Sequence, residues 1–207
     1  MAPVTPNPGH IRDFPDAKAF ERWLKANHDK ASEIWLKIHK KESGLPTVTY
    51  AEALDIALCW GWIDGQKKSF DENSFLQRFC PRGARSIWSQ RNIGHIERLT
   101  KAGKMTPYGQ AHVDAAEADG RWQAAYAAGR DMQVPDDLKA AIAANADAQR
   151  TFETLNRQNL FSLAFRVGNL KTPEGRAKKI AGFVEMLARG ETIYPNGKGA
   201  KARDEKS

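Results

Sequence analysis

Long apolar runs are missing from this sequence. No stretch approaches the roughly 18 consecutive apolar residues that a membrane-spanning helix needs. The first fifteen residues, MAPVTPNPGHIRDFP, lack the apolar core of a signal peptide. We therefore expect a cytoplasmic protein that does not insert into membranes. Cysteine is also scarce: Cys59 and Cys80 are too few for a disulfide framework, and we expect both to be free thiols.

The motifs of several common catalytic classes are absent too. There is no Gly-x-x-x-x-Gly-Lys-Ser/Thr loop, no Gly-x-Gly-x-x-Gly, no Gly-x-Ser-x-Gly and no His-Glu-x-x-His. The five histidines are scattered, and neither cysteine has a partner at metal-ligand spacing. These absences argue against P-loop nucleotide hydrolysis, dinucleotide redox chemistry and a zinc site. The sequence predicts no cofactor and no metal.

Positive charge is present but unevenly distributed. The formal net charge is +7. Residues 65–104 carry nine Lys and Arg against three Asp and Glu, and residues 171–207 carry nine against five. Such concentrations can attract phosphate, nucleic acid or an acidic protein surface, and they can also simply keep a small protein soluble. Composition leaves both interpretations open.

The hydrophobic pattern predicts an α+β protein. Alternation predicts strands at about 33–40, 63–69 and 74–80, and helical spacing predicts helices at 16–27, 49–61, 87–101, 107–119, 121–148 with a break at Val134-Pro135, 149–169 and 173–189. We expect a small antiparallel sheet with covering helices in the N-terminal half and an all-helical C-terminal half. The predicted organisation is a flexible arm (1–14), an α+β core domain (15–104), a helical region packed on it (105–194) and a disordered basic tail (195–207).

The segment from Thr49 to Asn92 combines aromatic, acidic and guanidinium side chains most densely. It opens with Thr49-x-x-Glu52, which is typical of a helix capping box. A strand end followed by Ser86 or Ser89 at the next helix start would offer free backbone amides, and nearby arginines can hold an anion. We therefore predict a cleft for a small anionic ligand or an acidic protein segment. Its candidate ligand-binding residues are Asp64, Gln66, Arg82, Arg85, Trp88 and Arg91.

Within this cleft the arginines would neutralise the ligand, Trp88 would form an apolar wall, and Asp64 with Gln66 would orient it. Other interpretations stay open. Asp55 or Asp64, close to two tryptophans, could act as the general base of an enzyme, or these carboxylates could form structural ion pairs with the arginines. Nucleic acid could bind the basic stretch at 65–104 with aromatic rings as stacking surfaces. The sequence identifies no catalytic residues, no reaction and no oligomeric state.

Several spaced motifs occur in order along the chain: EALDIALCWGWIDGQ at 52–66, Phe79-x-Pro81-Arg82, Arg85-Ser-x-Trp88-Ser-x-x-Asn92, Gly120-Arg-Trp122-x-x-Ala-Tyr126, Val134-Pro-x-x-Leu138 and Thr172-Pro-Glu-Gly-Arg176-Ala-Lys-Lys-Ile180. Together they resemble the bacterial YdeI/OmpD-associated family, also labelled bacteriocin-protection proteins, over about residues 15–194. The resemblance implies a link to stress or to tolerance of antibacterial peptides. It brings no established reaction, cofactor or catalytic residue set. We therefore expect a stress-protection or bacteriocin-protection protein that works by binding.

Overall fold

A computed structural model describes residues 5–126, 132–170 and 172–196. The chain divides after Tyr126 into two compact units. The elements of the first unit are, in order, strand β1 (Ile11–Asp13), helix α1 (Ala17–Asn27), strand β2 (Ile34–His39), helix α2 (Tyr50–Cys59), strands β3 (Trp62–Ser69) and β4 (Ser74–Pro81), and helices α3 (Gln90–Lys101) and α4 (Pro107–Ala118). Two short 3-10 turns, Pro8–His10 and Lys41–Ser43, precede β1 and follow β2.

The first unit is α+β, as expected, but its sheet is mixed rather than antiparallel. The strand order is β1-β2-β4-β3. Strands β2, β4 and β3 pair antiparallel, and β1 pairs parallel with β2, with Ile11 opposite Trp35. Strand β1 has three residues and lies inside the segment that the sequence predicted as a flexible arm. Three residues are too few to show an alternating pattern, so hydrophobic periodicity could not reveal the parallel strand.

Side-chain caps set the starts of the first two helices. The Asp16 carboxylate accepts a hydrogen bond from the backbone amide of Ala19 at 2.7 Å. Helix α2 has the predicted capping box, because Thr49 accepts from the amide of Glu52 and the Glu52 carboxylate accepts from that of Thr49. These contacts satisfy amides that have no partner within the helix. The capping box is thus confirmed.

One hydrophobic core joins the sheet and the helices of the first unit. Ile34, Leu36 and Ile38 alternate along β2, and all three are buried. They belong to a cluster with the apolar faces of α1 and α2, which include Phe20 and Leu54. All six tryptophans of the chain lie in this unit. The core therefore rests largely on big aromatic side chains, which bury the most apolar area per residue.

Helix α4 also belongs to the first unit, although the sequence placed it in the C-terminal helical region. It lies so close to α2 that a Cβ at Gly109 would sit 2.3 Å from the backbone oxygen of Cys59. The Thr106 hydroxyl donates to the same oxygen at 2.6 Å. The helices of the chain are therefore not confined to its C-terminal half, and the absence of a side chain at Gly109 is what permits this contact.

The second unit is helical throughout its described residues. It contains α5 (Asp136–Ala143), α6 (Ala146–Glu153), α7 (Arg157–Gly168) and α8 (Pro173–Ala188). The predicted helix at 121–148 is in fact a turn at 121–124 and then α5, while 127–131 lie outside the described residues. Leu138, Ile142, Leu163 and Leu187 are fully buried in a core separate from that of the first unit.

Two polar networks fix the helices of the second unit. Arg176 on α8 donates to both carboxylate oxygens of Asp137 at 2.6 and 2.8 Å and to the carbonyl of Val167 at 2.9 Å. Buried Asn159 on α7 donates to the carbonyl of Tyr194 at 2.9 Å and accepts from the Tyr194 amide at 2.9 Å. The first network joins three helices, and the second attaches the segment after α8 to α7.

Candidate functional site

Antiparallel pairing of β3 and β4 brings two of the predicted ligand-binding residues, Asp64 and Arg82, to the same end of the hairpin. Asp64 lies opposite Phe79, and the amide of Arg82 donates to the carbonyl of Gly61 at 2.9 Å. The chain then forms a loop that reaches α3. Ser89, rather than Ser86, caps that helix by accepting from the amide of Asn92 at 3.2 Å. Helix α3 therefore begins at Gln90, later than the predicted residue 87, and Trp88 lies in the loop.

Arg82 is the most unusual side chain of this region. It is only 4% exposed, and its guanidinium lies 3.7 Å from the centre of the Trp88 ring. Its Nη1 donates to the carbonyl of Ile87 at 3.2 Å, whereas its buried Nη2 has no hydrogen-bond partner among the described residues. Burial lowers the pKa of Arg82 to about 10, so the group still carries its charge at neutral pH. A buried positive charge thus lies against an aromatic face with one unused donor.

The acidic residues that could have paired with the arginines have other partners. Asp55 accepts from Arg98 at 2.6 Å and lies 3.0 Å from the Nδ1 atom of His95. Asp64 accepts from the hydroxyl of Tyr50 at 2.8 Å. Within the described part of the chain, no ion pair joins Arg82 or Arg85 to a carboxylate. Asp55 therefore links α2 to α3, and Arg82 is left without a neutralising partner.

Asp64 nevertheless lies within electrostatic reach of Arg82. The negative charge of Asp64 acts against the lowering of the Arg82 pKa by burial. Burial raises the pKa of the Tyr126 hydroxyl, the Asp64 charge raises it further and the Arg82 charge lowers it. The three groups consequently form one electrostatic cluster. Trp88, which packs on Arg82, adjoins this cluster. Three of the predicted ligand-binding residues are thus close together: Asp64, Arg82 and Trp88.

The remaining predicted residues lie nearer the solvent. Arg85 and Arg91 are both exposed. Burial and the neighbouring Asp64 raise the pKa of Tyr50, and the positive charge of Arg91 acts in the opposite direction, which places Arg91 near the rim of the cluster. Gln66 falls at the irregularity of the β3 ladder, and its backbone carbonyl lies 3.4 Å from the Gln77 side chain. Thus Arg91 borders the cluster, whereas no described contact connects Arg85 or Gln66 to it.

Sequence reasoning missed several residues around Arg82. Burial, together with the charges of Arg82 and Arg121, lowers the pKa of His112, so His112 is neutral at pH 7. Arg121 donates to the carbonyl of Ser86 at 3.0 Å, and Trp122 lies edge-on to Trp88 at 5.0 Å between ring centres. The signal available in the sequence was the motif Gly120-Arg-Trp122-x-x-Ala-Tyr126. Because this motif is far from Arg82 along the chain, the sequence alone did not show that it lies near the loop between β4 and α3.

We call the group formed by Asp64, Arg82, Trp88 and Tyr126 the Arg82 cluster. It offers an enclosed guanidinium, an aromatic face and a nearby carboxylate. Among the described residues, no three His, Cys, Asp or Glu side chains are grouped so that they could hold a metal ion. Every helix in the described part of the chain is too short or too polar to cross a membrane. A guanidinium, an aromatic face and a carboxylate can take part in ion and hydrogen-bond recognition.

Two family models match different parts of the chain. Residues 12–112 match a model described as a domain of unknown function, DUF8412. Residues 131–190 match the model described as bacteriocin-protection, YdeI or OmpD-associated. Searches of curated proteins and of solved structures gave no significant match. Arg82 and Asp64 lie in the first match, and the Asp137–Arg176 ion pair lies in the second. The resemblance is confirmed for residues 131–190, which match the YdeI/OmpD-associated, bacteriocin-protection model and contain the motifs that begin at Val134 and Thr172. The motifs between residues 52 and 92 lie in the part of the chain that matches DUF8412.

Proposed function

We propose that this chain is a binding protein that holds a small anion or an acidic protein segment at the Arg82 cluster. The observation that carries the proposal is the buried guanidinium of Arg82, which has no carboxylate partner among the described residues and an unused Nη2 donor. The family description at residues 131–190 supports a role in protection against bacteriocins or a related stress. The guanidinium of Arg82 and the face of Trp88 are groups suited to holding an anion.

The unused Nη2 donor of Arg82 has an energetic cost. A buried N–H group without an acceptor costs about 1–3 kcal/mol, and more when it is charged. A carboxylate or phosphate oxygen would remove that cost and neutralise the charge in the same contact. Because Trp88 covers one face of the guanidinium, the plane of the donors is held in one orientation. A ligand acceptor must displace the atoms that cover Nη2 to bind there.

The surroundings of Arg82 restrict the charge of the ligand. Asp64 is a carboxylate in the same electrostatic cluster, and it would repel a second negative charge. Arg91 at the rim would attract an anion from solvent without being buried itself. A singly charged group, such as a carboxylate of a small molecule or of an acidic side chain, is therefore preferred to a dianion.

The test is isothermal titration calorimetry of the full chain at low salt. The ligands are acetate, succinate, inorganic phosphate, a glutamate-rich peptide and a short oligonucleotide. The test variant is Arg82→Lys, which keeps the charge but removes the fork of donors, and the control is Arg22→Ala at an exposed arginine on α1. We expect a carboxylate ligand to bind wild type and Arg22→Ala equally, and to bind Arg82→Lys at least about tenfold more weakly.

Three results would overturn the proposal. The first is that none of the anions binds the wild type. The second is that Arg82→Lys binds the anion as tightly as the wild type does. The third is that only the oligonucleotide binds and that its affinity is unchanged in Arg82→Lys. The location is checked by the indole N–H signal of Trp88 in a heteronuclear NMR spectrum, which shifts when the cluster is occupied. If no anion binds and Arg82→Lys lowers the melting temperature, Arg82 has a structural role only.

A further inference from the structure

A separate cavity lies in the first unit, at the N-terminal edge of the sheet. We call it the N-terminal pocket. It is enclosed by the turn before β1, by β1, by the second half of α1 and by the loop that leads to β2, and its volume is about 260 Å3. The residues that matter for its chemistry are His10, Arg12, Trp23, Asn27, Lys30 and Glu33. None of them belongs to the Arg82 cluster.

The acidic group of the pocket is already neutralised. The Glu33 carboxylate accepts from Nε of Arg78 at 2.6 Å and lies 3.2 Å from Nδ1 of His10. Burial alone would raise the pKa of Glu33, but the hydrogen bonds from Arg78 and His10 outweigh it and the pKa is lowered. Glu33 therefore stays ionised, with its charge balanced by Arg78. It offers little attraction to a further cation.

The basic groups of the pocket are, by contrast, unbalanced. Among the described residues, the Arg12 side chain donates only to the carbonyl of Ile11 at 2.8 Å, and the Lys30 side chain donates only to the carbonyl of Ala26 at 3.1 Å. Neither forms an ion pair within the described ranges 5–126, 132–170 and 172–196. With Glu33 and Arg78 balancing each other, the two free cations make the potential of the pocket positive. An anion is the complementary ligand.

Trp23 gives the pocket a flat apolar wall. Its ring is half-buried and is held edge-on against Trp62, with 5.9 Å between the centres. The Asn27 amide nitrogen donates to the Trp23 carbonyl at 2.7 Å, and an amide nitrogen carries a second N–H that can donate to a carboxylate. A fixed indole favours an aromatic ring that packs against it. The volume of the N-terminal pocket is slightly below the range of about 300–1,000 Å3 that is typical of sites for drug-sized ligands. It suits a smaller ligand of roughly ten non-hydrogen atoms.

We propose that the N-terminal pocket binds a small planar aromatic carboxylate, with its ring against Trp23 and its carboxylate between Arg12 and Lys30. The positive potential excludes an aromatic amine, and the tryptophan wall distinguishes the ligand from a simple anion such as acetate. The inference is independent of the function proposed for the Arg82 cluster, because the two sites share no residue.

The experiment uses benzoate as the probe, titrated into the full 15N-labelled chain. The comparison ligands are acetate, which lacks the ring, benzamide, which lacks the charge, and benzylamine, which has the opposite charge. The indole N–H signal of Trp23, assigned with a Trp23→Phe variant, reports occupancy of the N-terminal pocket. We expect benzoate to shift the Trp23 signal and to leave the Trp88 signal in place.

The charge requirement is tested with a pair of double variants. Arg12→Ala/Lys30→Ala removes the two cations of the pocket, and Arg22→Ala/Lys25→Ala removes two exposed cations from α1 that do not line it. All four positions accept alanine without loss of a core contact. We expect the first variant to weaken benzoate binding at least about tenfold and the second to leave it unchanged, since charge-assisted hydrogen bonds are lost only in the first.

Each outcome of these titrations either supports or overturns the proposal. Weaker binding of acetate, benzamide and benzylamine than of benzoate supports the proposal, as does a lower affinity at high salt. The proposal is overturned if millimolar benzoate leaves the Trp23 signal unmoved, if benzylamine binds as tightly as benzoate, or if both double variants weaken binding equally. A benzoate shift confined to Trp88 would instead assign the ligand to the Arg82 cluster and also overturn this inference.

Discussion

The close contact between α2 and α4 makes a sharp prediction about two helical glycines. Gly109 is on α4, where a Cβ would lie 2.3 Å from the oxygen and 2.7 Å from the carbon of the Cys59 carbonyl. Gly94 is on α3, where a Cβ would meet no atom within 4 Å. The same substitution, glycine to alanine, is therefore expected to change the free energy of unfolding in opposite directions at the two positions.

The magnitudes follow from the contacts. Backbone atoms cannot rotate away, so Gly109→Ala must push α4 from α2, which costs about 1–3 kcal/mol as overpacking. The shift also breaks the two hydrogen bonds from Thr106 to the Cys59 carbonyl. Those bonds contribute about 1 kcal/mol each, and the gain in helix propensity offsets about 1 kcal/mol. We expect a net loss of about 2–4 kcal/mol, whereas Gly94→Ala gains about 0.5–1 kcal/mol.

Urea unfolding followed by tryptophan fluorescence is the assay, because every tryptophan is in the first unit. With a slope of about 2 kcal/mol per molar urea, Gly109→Ala lowers the midpoint by roughly 1–2 M. Gly94→Ala raises it slightly. The reasoning is refuted if Gly109→Ala matches Gly94→Ala, since α4 would then approach α2 less closely than the distances state.

Two further predictions concern polar contacts. Asn159→Ala removes the partners of the Tyr194 amide and carbonyl, so we expect a loss of about 2–4 kcal/mol and faster hydrogen exchange at the Tyr194 amide. Asn169→Ala, at the exposed residue that follows α7, is the control, and an equal loss there would contradict the network. The lowered pKa of Glu33 means that the unfolded chain binds the proton more tightly, so this stabilisation is present above the ordinary glutamate value of about 4.3 and is lost as the pH falls below it. Glu33→Gln should flatten the dependence of the unfolding free energy on pH between about 3 and 5, and an unchanged slope would show that the contact with Arg78 contributes nothing.

Helix starts with recognisable capping residues were predictable from the sequence. Thr49 with Glu52, and Thr172 with Pro173, carry their capping partners within the next three residues, and both caps are present. The start of α3 was placed too early because the chain offers two serines, Ser86 and Ser89. The backbone pairing of Ser89 with Tyr126 coincides with the true start, and such a contact between distant segments leaves no local signal.

The candidate site was predictable as a region but not as a set of roles. Arg82, Arg85 and Arg91 are equivalent in the sequence, yet only Arg82 is buried. The difference arises from the packing of Trp88 on Trp122, which local periodicity cannot reveal. The same limit applies to the sheet. Strand β1 is too short to be recognised in the sequence, and its place is set by its pairing with the distant strand β2.

The division after Tyr126 also has a consequence during synthesis. All strand pairings of the sheet lie between residues 11 and 81, and the tryptophan core is complete by residue 122. Domains fold as units from the N-terminus while the chain grows at about 5–20 residues per second, so translating the 81 residues from 127 to 207 takes roughly 4–16 s. That interval is long compared with the folding of most small domains. The order of the two units along the chain therefore lets the sheet unit fold while the helical unit is still being synthesised.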